Sequence, residues 1–169
     1  MHISKAAIFP TMKKLTLALL LTLSCSTAWA ADFDKGLAAY EAGDFATAFT
    51  EFKPLAEQGD AGAQYYFGLT YAKGEGVIED YKEAAKWFRL AAEQGYAIAQ
   101  GNLGVAYYSG QGVIQDNVYA HMWWNIAAAS GDEKARGKKD TLAAEMTPQD
   151  ISKAQDLARE CVKKNYKDC

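Results

Sequence analysis

The chain has 169 residues, a formal net charge of −3, 50% hydrophobic residues and 3 prolines. This length suits one domain, and the apolar fraction is enough for a core. The scarcity of proline favours helices, and the acidic balance argues against a nucleic-acid or anionic-membrane partner, which would need clustered Lys and Arg.

The first 30 residues have the features of a secretory signal peptide. Lys13 and Lys14 form a basic region, residues 15–23 form an apolar run, and Ala28 and Ala30 are the small residues that a signal peptidase reads. The apolar run is shorter than the roughly 20 residues that a membrane-spanning helix needs. We therefore predict cleavage after Ala30, export to the periplasm or medium, and no transmembrane segment in the mature chain.

Two alternatives stay open in this segment. Translation could start at Met12 instead of Met1, and Cys25 could be acylated, although Thr22 lies where a lipobox has Leu. Removal of residues 1–30 leaves 15 basic and 21 acidic residues, a net charge of −6. The one basic cluster that remains, Arg136 with Lys138 and Lys139, is predicted to be a solvated helix face.

An internal repeat with a period of 36 residues is the main signal in the sequence. Residues 57–92 and 93–128 are identical at 17 of 36 positions. A period of this size indicates stacked supersecondary units. The recurring pairs include Ala63 and Ala99, Gln64 and Gln100, Gly68 and Gly104, Tyr71 and Tyr107, and Trp87 and Trp123.

Each unit is predicted to be a pair of helices. In the middle unit, a first helix spans about Ala61 to Lys73, and Gly74 and Gly76 interrupt it because glycine reaches backbone angles closed to other residues. Asp80 is a suitable N-cap for a second helix that ends near Gln94. The predicted units are residues 33–59, 60–95, 96–131 and a partial unit, 132–146.

The C-terminal residues 147–169 are predicted to form a capping helix and a tail. Thr147 is a suitable N-cap and Pro148 suits the first helical position. The helix is predicted to end near Lys164. Its apolar stripe consists of Ile151, Ala154, Leu157, Ala158 and Cys161. One packed side and one charged side are what a terminal cap needs. The predicted fold class is therefore all-α.

Three motifs carry a resemblance to a known family. They are G-x-G-V-x-x-D at residues 74–80 and 110–116, A-x-x-W-[FW] at residues 84–88 and 120–124, and A-E-Q-G at residues 56–59 and 92–95. With these motifs the chain resembles the Sel1-like repeat family, a branch of the tetratricopeptide superfamily. The resemblance implies an α/α solenoid whose first helices line a concave face. It also implies an adaptor or scaffold role, often in bacterial envelopes, without a shared catalytic residue or cofactor.

The same analogy places a partner-binding groove on the first helices, with a protein or peptide as the partner. Exposed apolar and aromatic side chains on one face suggest recognition. The alternative is that these side chains pack against the neighbouring repeat, and both interpretations stay open. The predicted groove residues are Tyr65, Leu69, Lys73, Ile98, Val105 and Tyr108.

Other candidate sites have weaker signals. Cys161 and Cys169 are predicted to form a disulfide if the chain is exported. His121 is interpreted as a surface or interface side chain, because it is the single histidine after cleavage and cannot form a histidine-based metal site. The glycine loops are interpreted as structural, since they recur with the repeat. No nucleophile motif is found, so we predict no catalytic, cofactor or metal residues.

Two other functions were weighed against the adaptor. The chain could be a structural subunit of an envelope assembly that uses its terminal helix. It could also be a β-lactam-interacting enzyme, as has been linked to a cysteine-rich branch of the family. That branch has a Cys pair in each repeat, and the two full repeats of this chain have none.

Overall fold

Helices and the turns between them make up the chain from residue 31 to residue 169, which is the part that our computed structural model describes. The predictions for the signal peptide, Met12 and Cys25 lie outside these residues. The described part contains no strand, and the all-α prediction is confirmed. The helices are α1 (Phe33–Glu41), α2 (Phe45–Glu57), α3 (Ala61–Lys73), α4 (Tyr81–Ala92), α5 (Ala97–Ser109), α6 (Asn117–Ala129), α7 (Glu133–Ala143) and α8 (Pro148–Lys163).

The glycine loops stop one helix and start the next at equivalent positions. Gly74 and Gly110 end α3 and α5 in the left-handed region, with φ of 68° and 71°. Asp80 and Asp116 then cap α4 and α6, and each carboxylate accepts two backbone N–H groups. Satisfying these otherwise unpaired N–H groups favours the helix start. The predicted helix boundaries therefore follow from local chemistry.

In each of the first three units, a glycine on the first helix lies directly under an aromatic ring of the second. A Cβ atom at Gly104 would lie 2.5 Å from the Trp124 ring, and one at Gly68 would lie 2.8 Å from Phe88. Gly36 has the same relation to Phe52 in α1 and α2. Only glycine lets the ring lie this close to the backbone, so this contact sets the spacing of each helix pair.

Backbone contacts then join each unit to the one before it. Gly112 lies against the N-terminus of α4, where a Cβ atom would overlap the carbonyl oxygen of Tyr81. The side chains of Gln64 and Gln100 are buried, and each Nε2 donates to a carbonyl oxygen at the end of the preceding helix, 3.1 Å away. The repeated loop and the repeated Gln are thus contacts between neighbouring units.

The two repeat tryptophans have equivalent surroundings. Trp87 packs edge-on against Phe67, with ring centroids 5.0 Å apart. Trp123 is 0% exposed and lies in a core cluster with Leu103, which occupies the position of Phe67 one period later. Each tryptophan fills the space that a single helix pair could not close. The stacked units form the predicted α/α solenoid.

The C-terminal helices depart from the repeat. α7 lies where the first helix of a fourth unit would begin, but α8 packs against α6 and not against α7 as a second helix would. Ala154, Ala158 and Cys161 are buried on this contact, in agreement with the predicted stripe. The covered surface of α6 includes Met122 and Ile126, which are 1% and 3% exposed.

A disulfide joins Cys161 of α8 to Cys169, with Cα atoms 5.4 Å apart. The residues between them turn back sharply, with positive φ at Asn165 and Tyr166. The Tyr166 ring lies against Gly95 in the turn between α4 and α5. The tail is therefore pinned against the middle of the solenoid instead of extending from its end.

His121 was interpreted as a surface or interface side chain, and the structure excludes the surface. It is 2% exposed within α6, with Lys139 and Asp140 of α7 nearby. Burial lowers the pKa of its imidazole, and the nearby Lys139 lowers it further. In the described residues no helix has the length and apolar character that crossing a membrane requires.

Candidate functional site

The first helices of successive units lie side by side and form a surface that we call the first-helix face, made by α1, α3, α5 and α7. Lys73 Nζ of α3 donates to the Tyr40 hydroxyl of α1 at 2.8 Å. A Cβ atom at Gly101 of α5 would lie 2.8 Å from Asp132, the N-cap of α7. These contacts bring side chains from separate repeats onto one continuous face.

A row of aromatic rings crosses this face from the first unit to the start of the third. Phe33 and Tyr66 have ring centroids 5.9 Å apart, Tyr66 and Tyr65 5.1 Å, and Tyr65 and Tyr96 5.4 Å. Tyr65 also lies against Phe88, and burial raises the pKa of its hydroxyl to about 12. Tyr65, a predicted groove residue, is thus partly committed to packing between repeats.

A cavity of about 320 Å³ lies between α3, α4 and α5, and we call it the α3–α5 cavity. Three of the predicted groove residues, Leu69, Lys73 and Val105, line it together. The Lys73 ammonium is engaged by the Tyr40 hydroxyl and lies 3.6 Å from Glu75. The hydrogen bond to Tyr40 is the main cause of the raised pKa of Lys73.

A second cavity, of about 470 Å³, lies between α5, α6 and α7, and we call it the α5–α7 cavity. Val105 lines both cavities, so the two are neighbours on the first-helix face. Val105 and Trp124 lie here one period after Leu69 and Phe88, which line the first cavity. The solenoid therefore repeats the cavity as well as the helices.

The remaining predicted groove residues differ in position. Tyr108 is 43% exposed and lines the α5–α7 cavity. Ile98 is 50% exposed but lines neither of the two cavities. The structure thus groups Leu69, Lys73, Val105 and Tyr108 around two adjoining cavities, and leaves Ile98 beside them.

Sequence reasoning missed the contribution of α7 and Trp124 to this face. Trp124 Nε1 donates to the carbonyl oxygen of Gly101 at 3.0 Å, which fixes the indole ring. Lys138 Nζ lies 5.8 Å from the centre of that ring. The signal was present in the sequence, because the 36-residue period places Lys134 and Lys138 at the positions of Ile98 and Asn102.

The side chains of the first-helix face are of the kinds that bind a partner. Apolar and aromatic side chains line concave space, and a few charged groups lie at its rim, as in ligand-binding clefts. In residues 31–169 no group of three or more His, Cys, Asp or Glu side chains is arranged to hold a metal ion.

Comparisons with known proteins agree with this architecture. The sequence model of the Sel1 repeat matches residues 61–96 and 97–132. The chain is similar to the crystal structure of a protective antigen of uropathogenic Escherichia coli strains, described as having an SLR fold. That match has 27% identity, a TM-score of 0.73, and coverage of 78% of this chain and 30% of the other.

A second solved structure is a Sel1 repeat protein from Oxalobacter formigenes. The match has 35% identity, a TM-score of 0.64, and coverage of 68% of this chain and 47% of the other. The chain therefore spans about a third to a half of the length of these two proteins. No curated protein has significant sequence similarity to the chain.

Proposed function

Because the chain belongs to the Sel1-like repeat family, we propose that it is an exported adaptor or scaffold that binds a peptide or protein partner on the concave side of the solenoid, the first-helix face. Repeats of this type generally mediate protein–protein interaction. The observation that carries the proposal is the pair of adjoining cavities that share Val105.

The exposed side chains of the face support this role. Ile98 and Tyr108 are each about half exposed, and both project from α5, the helix between the two cavities. A partly exposed tyrosine that lines a cleft, as Tyr108 does, is typical of residues that contribute strongly to binding. A bound partner would remove the apolar surface of these two side chains from water.

Export is supported by the sequence of residues 1–30 and by the disulfide. A disulfide persists in an oxidising compartment and is rare in reducing ones. The Cys161–Cys169 bond is therefore consistent with a periplasmic or secreted location. We propose no catalytic activity, since repeats of this family are generally non-catalytic scaffolds.

The alternative of a structural subunit that docks through the terminal helix is less well supported. The apolar stripe of α8 includes Ala154, Ala158 and Cys161, which are already buried in this chain. A partner could reach that stripe only by displacing α8 from α6. The first-helix face needs no such rearrangement.

The test is a pull-down from envelope extract of the source organism with three forms of the purified protein. The wild-type chain is compared with Ile98→Glu/Tyr108→Glu and with a matched control, Ile78→Glu/Leu90→Glu. All four residues are exposed hydrophobics, but the control pair lies outside the first-helix face.

We expect the wild-type and control proteins to retain the same partner and the first-helix-face variant to lose it. Circular dichroism should show equal helix content in the three forms. Equal retention by both double variants, or loss in the control alone, would contradict binding on this face.

A further inference from the structure

We propose that the α5–α7 cavity binds a short linear peptide through an apolar or aromatic side chain, with an acidic residue on one side of that anchor and a basic residue on the other. This inference rests on the proposed function, since it names the kind of segment that the first-helix face recognises. It adds a difference in charge between the two ends of the site, which the repeat pattern alone does not contain.

The anchor position follows from the floor of the cavity. Val105, Tyr108, Trp124 and Leu142 line it, and they provide aliphatic and aromatic surface. Trp124 and Leu142 are 3% and 2% exposed and form the base of the cavity, so Val105 and the half-exposed Tyr108 provide most of its accessible apolar surface. At about 470 Å³, the volume falls within the roughly 300–1,000 Å³ of ligand-binding pockets.

The acidic residue of the peptide is inferred from two lysines at one end of the cavity. Lys134 and Lys138 are exposed, lie one turn apart on α7 and both line the cavity. Glu133 lines the same end, but its carboxylate is paired with Arg136 at 3.3 Å. Neither ammonium forms an ion pair within residues 31–169, whereas the neighbouring Arg136 and Lys139 pair with Glu133 and Asp140. Lys138 lies over the Trp124 ring, and neither lysine has a carboxylate partner within the described residues. Two such cations at the edge of an apolar cavity favour a carboxylate, because complementary charges set orientation and specificity.

The basic residue of the peptide is inferred from a carboxylate at the other end of the cavity. Glu145 lines it there, and it forms no ion pair within the described residues. α7 ends at Ala143, about 14 Å from Lys134 at 1.5 Å of rise per residue, and Glu145 lies in the turn just beyond that end. An extended chain covers this distance and the turn in about five residues. The segment is therefore about five residues long, with opposite charges near its ends.

The neighbouring cavity provides an internal contrast. At the positions of Lys134 and Lys138, one period earlier, α5 has Ile98 and Asn102, which carry no charge. The cation that lines the α3–α5 cavity, Lys73, is already engaged by Tyr40. The preference for an acidic neighbour is thus a property of the α5–α7 cavity and not of the repeat.

The test is an array of immobilised pentapeptides with blocked ends, together with the same peptides carrying a free C-terminal carboxylate. The central residue is Phe, Leu or Ser, and the two terminal residues are every combination of Asp, Ser and Lys, with Ser between. The full mature chain is applied as wild type, as Lys134→Glu/Lys138→Glu, and as Lys53→Glu/Lys153→Glu. The last variant has the same net charge but changes lysines on α2 and α8, away from the cavity.

We expect wild type and control to favour peptides with Asp at one end, Lys at the other and Phe or Leu in the centre. Reversal of the peptide should weaken binding at least fivefold. The Lys134→Glu/Lys138→Glu variant should lose at least tenfold in binding of the same peptides and gain binding of peptides with Lys at both ends.

Three results would overturn this inference: no peptide bound, no dependence on the terminal charges, or binding only when a free C-terminal carboxylate replaces the blocked end. The proposed function is judged separately by the pull-down. A partner that is lost in Ile98→Glu/Tyr108→Glu but kept in Lys134→Glu/Lys138→Glu would leave the adaptor role intact. It would also show that the charged lysines of the α5–α7 cavity do not recognise that partner.

Discussion

The helix pair α5–α6 and the helix pair α7–α8 begin alike and end differently. Both open with a helix in the 36-residue register, and Ala135 of α7 is buried as Ala99 of α5 is. In the first pair the second helix folds onto its own partner, whereas α8 turns back onto α6. The register of a repeat therefore does not determine where its second helix packs.

Two substitutions account for the difference. Gly104, which lies under the Trp124 ring, is replaced one period later by Asp140, and a carboxylate there prevents a second helix from closing onto α7. On the outer surface of α6, Met122 occupies the position at which α4 has the exposed Lys86. The solenoid thus ends on a polar helix and offers α8 an apolar site on the previous unit.

The largest effect should come from the loop contact that joins the units. Gly112→Ala places a Cβ atom on the Tyr81 carbonyl in addition to the strain of positive φ, and we expect a loss of about 4 kcal/mol in unfolding free energy. Gly131→Ala is the matched control, because Gly131 also has positive φ but meets nothing within 4 Å. Its expected loss is about 1 kcal/mol. Urea unfolding measures both, and equal losses would exclude the inter-unit contact.

The next effect concerns the site of α8. Met122→Lys converts the outer surface of α6 to that of α4, and we expect a loss of about 3 kcal/mol, since it removes a buried side chain. Amide hydrogen exchange should show α8 opening before α3–α6. The reverse change, Lys86→Met, lies on an exposed position of α4 and should change stability by less than about 0.5 kcal/mol. Unchanged protection of α8 in Met122→Lys would contradict this packing.

A smaller, stabilising effect is expected at the open side of α7. Gly137 is helical and meets nothing within 4 Å, so Gly137→Ala should raise the unfolding free energy by about 1 kcal/mol through helix propensity. Gly101 is its equivalent one period earlier, but a Cβ atom there would lie 2.8 Å from Asp132. Gly101→Ala should therefore gain less or lose stability. An equal gain in thermal unfolding would mean that α7 does not contact α5 at this point.

The smallest effect is a pH dependence. Since burial lowers the pKa of His121 below its ordinary value of 6.5, the unfolded chain binds more protons just below pH 6.5, and stability falls as the pH drops there. The charged groups near the imidazole are Lys139 and Asp140 of α7. His121→Gln should remove this slope between pH 6.5 and the lower pKa in the fold. A slope that persists in the variant would assign it to another group.

Much of the fold could be predicted from sequence because its determinants are local. The bounds of α3 agree with the prediction, and Thr147 caps α8 as expected. The position of α8 and the burial of His121 could not be predicted from local pattern, because each depends on which surface of α6 a distant helix covers. A comparison of Met122 with Lys86 contained the clue, but only once the two surfaces were known to be equivalent.

The candidate site, like the fold, could be predicted from the sequence only in part. Leu69, Val105 and Tyr108 line the cavities as a repeat analogy implies. The sequence assigned Trp124 only to the repeat motif, and Lys138 was expected to lie on a solvated helix face. Their role depends on α7 serving as the last first helix while lacking a second helix of its own.

The most direct measurement of the central claim is photo-crosslinking in living cells with a photoreactive amino acid at single positions. Tyr108 represents the first-helix face and Leu90 the opposite helices, and both are partly exposed. The account predicts that position 108 crosslinks to a discrete partner and that position 90 does not. A partner captured from position 90 alone, or from neither position, would contradict it.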